Sequence, residues 1–173
     1  MTTWMWILVS VIIIQRLVEL VIAKSNEKWM KARGGIEKGE EHYKLFILLH
    51  ILFICSILLE VSVQEQGTAA HSLDYFLFSI FIAVQLGRLW CIYSLGRFWN
   101  TKIIVLPRVA LIKKGPYKYV KHPNYIIVAI ELFIIPALFG SYLTAFVFPI
   151  LHLLLLRVRI PKEEKALTRA TLQ

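Results

Sequence analysis

An all-α, polytopic membrane protein with five transmembrane helices is what this sequence predicts, and three observations carry that expectation. The chain is 58% hydrophobic and only 18% charged, with a mean hydropathy of +0.65, a composition of chains that cross a bilayer. Its apolar residues gather into runs at 4–23, 43–63, 73–95, 125–140 and 142–158, each read as a span of a hydrocarbon core about 30 Å thick. Arg16 and Arg88 lie inside runs, and every other basic residue falls in alternate loops: six in 24–44, seven in 96–122 and five after Leu156. The two intervening loops have none, so the N-terminus is expected outside and the long loop and C-terminus in the cytoplasm.

The same placement settles what the net charge of +9 means. In a soluble domain it would suggest nucleic acid; here the cations sit between apolar runs, where they set orientation, and nucleic-acid binding is excluded as a reading. Cys55 and Cys91 both lie inside apolar runs, without paired spacing or a histidine cluster, so no metal site is expected. Met1, Thr2 and Thr3 carry no basic side chain and no small-residue cleavage pattern follows the first run, which is therefore expected to remain in the protein.

In chain order, span 4–23 contains Gln15, Arg16 and Glu19. Arg16 and Glu19, three apart, share a helix face and can pair there, which lowers the cost of charge in the bilayer. Residues 24–44 mix six basic and four acidic side chains around a Gly34-Gly35 break and read as an amphipathic interfacial segment. The second span ends at Glu60 before a polar run; the third holds Gln85 and Arg88 late in its length. Arg97 and Trp99 follow as an interfacial terminus, where Trp99 either anchors the helix end or lines a pocket. The last two runs are separated only by Gly140-Ser141, a tight helical hairpin, and Pro136 and Pro149 stand where they can kink it. Beyond Arg157 the chain turns polar and leaves the membrane as a short helix. No soluble domain, repeat or low-complexity segment is left over, so 1–173 reads as one membrane domain, with a cytoplasmic region of 96–124 plus 157–167.

Residues 113–125, KKGPYKYVKHPNY, are a cation-rich loop with two prolines between apolar runs. Gly115-Pro116 is a turn signal, and His122, before Pro123, marks a helix boundary. The loop thus hands His122 and Tyr125 to a helix mouth. On composition alone, a basic loop that merely fixes topology explains it equally well. Together with residues 157–167, RVRIPKEEKAL, it resembles the paired motifs of the isoprenylcysteine carboxyl methyltransferase family of integral-membrane methyltransferases. The likeness is strongest over 95–167.

That resemblance implies S-adenosylmethionine as cofactor and residue roles position by position. Leu111 and Ile112 match the hydrophobic segment that packs on the adenosyl group; Tyr117, His122, Pro123, Asn124 and Tyr125 fall on positions lining the cofactor; Glu163 matches a glutamate that binds the methionyl amino group. Arg159, four residues earlier and on the same helix face, matches an arginine that handles the acceptor's acidic oxygen. His122 has a competing structural role as a helix cap, and Glu164 reads as a solvated residue. Two departures stand out: Lys121 replaces an arginine, keeping charge but losing bidentate geometry, and the glycine common after the HPxY motif is missing. Trp99 and Arg97 are candidate acceptor contacts. Glu131, an intramembrane carboxylate, is a catalytic candidate by default, with pairing to Arg88 or Arg16 the structural alternative.

The implied reaction is methyl transfer to an acidic oxygen, carboxylate or enol, of a long-chain acceptor such as a prenylcysteine-like or alkylpyrone-like lipid. The short loops favour a free lipid over a protein. Two rivals differ in class. Membrane sterol reductases carry an HPNY-like loop with a nicotinamide cofactor but are usually longer. A small multidrug-type transporter would use Glu19 as its coupling carboxylate and has little reason for two basic motif-bearing loops. Nothing in the sequence bears on oligomeric state.

Overall fold

The computed structural model describes residues 3–64, 73–107, 109–110 and 112–171. Five α-helices dominate it: α1 (Thr3–Lys31), α2 (Glu40–Gln64), α3 (Tyr75–Leu95), α4 (Pro123–Leu138) and α5 (Tyr142–Thr171). The helix number matches the five predicted runs, but four are long and apolar enough to cross a membrane, and α4 is not. Its 16 residues rise only about 24 Å at 1.5 Å per residue. α4 is instead the centre of the bundle, packed between α3 and α5, with Leu132, Ile135 and Leu138 buried.

Two boundaries are corrected. α1 continues through Lys31 instead of ending at residue 23, so the expected interfacial segment is partly two further turns of helix. The span expected at 142–158 and the short helix expected beyond it are one helix, α5, unbroken through Pro161 to Thr171. The all-α expectation also needs one amendment: β1 (Ile36–Lys38) pairs antiparallel with β2 (Ile103–Val105), Ile36 opposite Val105. Glu37 on β1 and Glu27 on α1 hold Lys31 (2.5 and 2.6 Å) and Lys102 (2.9 and 3.0 Å) between them. Mixed charge in 24–44 thus becomes a clamp joining the end of α1 to the long loop.

Local chemistry explains the helix ends. Asp74 caps α3 by accepting from the Phe76 and Leu77 N–H groups at 2.9 and 3.0 Å, satisfying donors a helix start leaves open. The α4–α5 hairpin turns at Gly140, whose φ of 74° suits glycine. The first turn of α5 is capped from another helix: Glu60 of α2 accepts from Leu143 N, Thr144 N and Thr144 Oγ1 at 3.0, 3.0 and 2.7 Å. The main core joins Leu8 and Ile12 of α1, Phe53 and Ile57 of α2, and Leu132 and Ile135 of α4. Outward-facing apolar side chains on the long helices, among them Ile7, Ile14, Leu48 and Leu86, form the surface a bilayer would cover.

Candidate active site

Six polar side chains from α1, α3 and α4 meet in the middle of the bundle. The Arg88 guanidinium grips both Glu19 oxygens, at 2.5 and 2.6 Å, and reaches Glu131 Oε2 at 2.6 Å. Arg16 bridges the same carboxylates, at 3.0 Å to Glu19 and 2.7 Å to Glu131. Gln15 donates to Glu19 and Gln85, and Gln85 to Glu131. Two arginines balance two glutamates, and both Glu131 oxygens are occupied. Glu131 is 1% exposed and does not line the cavity described next, so its surroundings are those of an ion-pair partner.

Beside this ring lies a cavity of about 530 Å³. One arm is apolar, lined by Ile13, Leu17, Ile47, Ile51 and Ile54 from α1 and α2. The other is a polar mouth between the 96–124 loop and α5. There Tyr125 donates its hydroxyl to Glu163 and accepts from Arg159 Nε at 2.7 Å, while Arg159 Nη2 donates to the Thr101 carbonyl at 2.6 Å. The Arg159 guanidinium also lies 4.9 Å from the Phe46 ring centre, and its Nη1 has no partner among the described residues. His122 stacks on Tyr125 at 5.5 Å and stands 3.8 Å from Glu163 and 3.4 Å from Glu164. It occupies the N-cap position of α4 without a side-chain cap bond, so its ring is free to face the mouth.

The loop is held in place from two sides. Asn26 of α1 donates to the Trp99 carbonyl at 2.7 Å and Asn100 donates to the Ala23 carbonyl at 3.2 Å, so the extra turns of α1 fix Trp99. At Gly115, φ is 54° and a Cβ would stand 2.1 Å from Ser94 Oγ, so the turn fits against α3 only as glycine. Tyr117 is thereby pressed inward; burial first, then Cys91 and the Glu163 carboxylate, pushes its hydroxyl well above the ordinary tyrosine value. It stays a protonated donor.

Tyr117, His122, Asn124, Tyr125, Arg159, Glu163 and Trp99 all line the cavity. Trp99, 2% exposed, is a pocket wall, not an interfacial anchor. Pro123 starts α4 and is buried, without facing the cavity, and Ile112 does not line it either. Arg97 is exposed and donates to Ser25 Oγ at 3.4 Å, away from the mouth. Leu111 lies outside the described residues. Sequence reading missed His50 and His152, both cavity-lining; histidines inside apolar runs are themselves the signal that could have found them.

The polar mouth is unsatisfied where the ion ring is closed. Trp99 Nε1, Asn124 Oδ1 and both His152 ring nitrogens are buried without a hydrogen-bond partner among the described residues, the pattern of a site shaped for a ligand's polar groups.

Comparison with known proteins then decides the family. The isoprenylcysteine carboxyl methyltransferase family profile matches residues 77–169, which include both motifs and every polar mouth residue named above. The chain belongs to this family. It is 44% identical to YpbQ, an uncharacterized protein of Bacillus subtilis, over 94% of this chain and 95% of the relative. It is 33% identical to an uncharacterized protein of Haemophilus influenzae, over 88% of each. No solved structure matches. As in other members of the family, the long apolar helices make this a multi-pass membrane protein.

Proposed function

We propose that this chain transfers a methyl group from S-adenosylmethionine to an acidic oxygen of a long-chain lipophilic acceptor, at the cytoplasmic face of the cell membrane. One observation supports the reading above all: a single cavity joins an apolar arm to a mouth with buried, unpartnered polar atoms, so a lipid tail and a polar cofactor can share it. The residues fit the cofactor. Glu163, the mouth's carboxylate, matches a methionyl amino group; Trp99 Nε1 and Tyr117 are donors, Asn124 Oδ1 an acceptor, and the stacked His122 and Tyr125 rings offer a flat wall. When bound, S-adenosylmethionine supplies a methyl group that needs no further activation.

The chain's own work is then positioning and exclusion of water. Tyr125, held between Arg159 and Glu163, fixes the acceptor-side cation relative to the cofactor-side carboxylate. Arg159 keeps Nη1 for the acceptor's oxygen, where a guanidinium can stabilise developing negative charge. The apolar arm holds the acceptor's chain. The basic residues around the mouth support a cytoplasmic orientation. The transporter alternative loses its coupling carboxylate, because Arg88 occupies both oxygens of Glu19.

Thermal unfolding of the purified protein in detergent tests the reading. S-adenosylmethionine is expected to raise Tm by an amount that grows with the logarithm of its concentration above Kd, and NADPH to leave it unchanged; the reverse result would assign the site to a reductase. Transfer of labelled methyl to long-chain acids and enols would then identify the acceptor.

A further inference from the structure

The loop before α4 has an outward side that the mouth does not use. Its short 3-10 turn, Gly115–Lys118, packs on α3, so closely that a Cβ on Gly115 would stand 2.1 Å from Ser94 Oγ and 2.9 Å from Trp90 Nε1. Trp90 precedes Leu95, the last residue of α3, by five positions, about 7 Å along the helix at 1.5 Å per residue. It projects away from the bundle, 52% exposed, and so does Tyr93. The turn therefore lies along the outer face of a helix apolar enough to span a membrane, short of that helix's end instead of clear beyond it.

What the turn exposes suits that depth. Tyr119, 76% exposed, and Val120 point outward with no core to join, and aromatic rings with a polar tip settle where hydrocarbon gives way to headgroups. Lys113, Lys114 and Lys118 surround them and are exposed. None of the three pairs with a carboxylate among the described residues; Lys118 Nζ lies instead 5.9 Å from the Tyr119 ring centre. At the clamp, by contrast, Lys31 and Lys102 are each held between Glu27 and Glu37. Three unanswered ammonium groups around exposed apolar side chains complement a partner that is anionic and apolar at once. A bilayer of anionic phospholipid is both; a nucleic acid or a free phosphate brings the charge without the hydrocarbon. The same turn also has an inward side: Tyr117, one residue before Lys118, lines the cavity and meets Cys91 of α3.

We propose that residues 113–121 dock on the anionic phospholipid headgroups of the surrounding bilayer, and that this contact fixes Tyr117 at the mouth, so that the charge of the membrane regulates cofactor binding. The second half rests on the methyltransferase reading. On an anionic surface each of the three lysines takes a lipid phosphate as its counterion while Tyr119 and Val120 enter the headgroup layer, which holds the turn from outside as Gly115 holds it from α3. On a zwitterionic surface only the Tyr119 and Val120 contacts remain.

The experiment places the full-length protein in nanodiscs of phosphatidylcholine, with or without phosphatidylglycerol, and follows amide hydrogen exchange over residues 113–121. Phosphatidylglycerol is expected to slow exchange at least ten-fold, less than the product of about five-fold for each of three lysines at an anionic surface, and high salt to undo the slowing. The variant Lys113→Gln/Lys114→Gln/Lys118→Gln should exchange alike in both discs and keep the wild-type Tm in detergent. Soluble glycerol phosphate, added to phosphatidylcholine discs, should leave exchange unchanged. Equal exchange of the wild type in the two discs, equal slowing in wild type and variant, or the same slowing with glycerol phosphate would each overturn the docking. If the variant fails to fold, the wild-type salt series decides, and slowing that survives high salt overturns it. For the second half, the wild-type Kd for S-adenosylmethionine, divided by that of the variant in the same discs, should fall about five-fold on adding phosphatidylglycerol, the lower end of couplings between sites. Dividing cancels the general attraction of a cationic cofactor to an anionic surface, so an unchanged ratio overturns the link through Tyr117. A wild type that binds no S-adenosylmethionine in either disc brings down the methyltransferase reading, while the exchange result, obtained without cofactor, still decides the docking.

Discussion

The bundle holds two polar regions side by side, and they differ in how their hydrogen bonds close. In the ring of Gln15, Arg16, Glu19, Gln85, Arg88 and Glu131, the charges cancel and both carboxylates are filled from within the protein. In the mouth, Trp99, Asn124 and His152 keep buried polar atoms without partners among the described residues. A burial cost met internally points to architecture, and one left open points to a ligand. Ionisable residues in a membrane are candidates for function as a class; the state of their partners separates the two cases.

The largest effect is expected from breaking the ring. Glu131→Gln leaves Arg16 and Arg88 with one carboxylate between them, and removing one partner of a buried network costs about 3–5 kcal/mol. Unfolding in detergent should show that loss, while turnover per folded molecule stays near wild type. The opposite result, normal stability with lost turnover, would restore Glu131 to catalysis. Next in size is Glu163→Gln in the mouth. Loss of a charge-assisted hydrogen bond, about 1.5–3 kcal/mol, should weaken S-adenosylmethionine binding ten- to a hundred-fold by calorimetry with Tm of the free protein nearly unchanged. Wild-type affinity would remove Glu163 from the cofactor site.

Much of this contrast was readable before any coordinates. Hydropathy runs located all five helices, because a bilayer demands long apolar stretches whatever packs inside them, and the family resemblance assigned Arg159, Glu163, Tyr125 and His122 to one site, where all four line the cavity. Three things were not readable. α1 runs past residue 23 because Lys31 and Lys102 pair with Glu27 and Glu37, a clamp between segments some seventy residues apart. α4 is short because Pro123 begins it and the turn at Gly140 follows it, but that its apolar surface is covered by α3 and α5 is something hydropathy cannot distinguish from lipid. His50 and His152 carry no spacing relation to each other, and only the packing of α2 against α5 brings them to one cavity.

A smaller effect is expected at the far end of the bundle. Glu60→Gln removes the charge that α2 supplies to the first turn of α5 but keeps one acceptor oxygen. Capping and helix-dipole terms of this kind are worth about 1 kcal/mol, so stability should fall by roughly that amount without any change in cofactor affinity. A larger loss would mean the α4–α5 hairpin depends on Glu60 for its placement.

The smallest effect concerns one of the two positions where the chain departs from the family motif. Lys121 stands where an arginine is usual; its side chain is 83% exposed, and its one ion pair among the described residues is with Glu164 at 3.5 Å. Exposed pairs contribute about 0–1 kcal/mol, and an ammonium at that distance makes no bidentate bond that a guanidinium would improve. Lys121→Arg should therefore change cofactor Kd and kcat by less than about three-fold, the equivalent of less than roughly 0.7 kcal/mol. Lys121 does border the mouth, and that makes the substitution informative. A gain of ten-fold or more in affinity, seen by calorimetry, would mean the position reaches the ligand in the bound state. The open region would then extend from the buried atoms of Trp99, Asn124 and His152 out to the exposed rim.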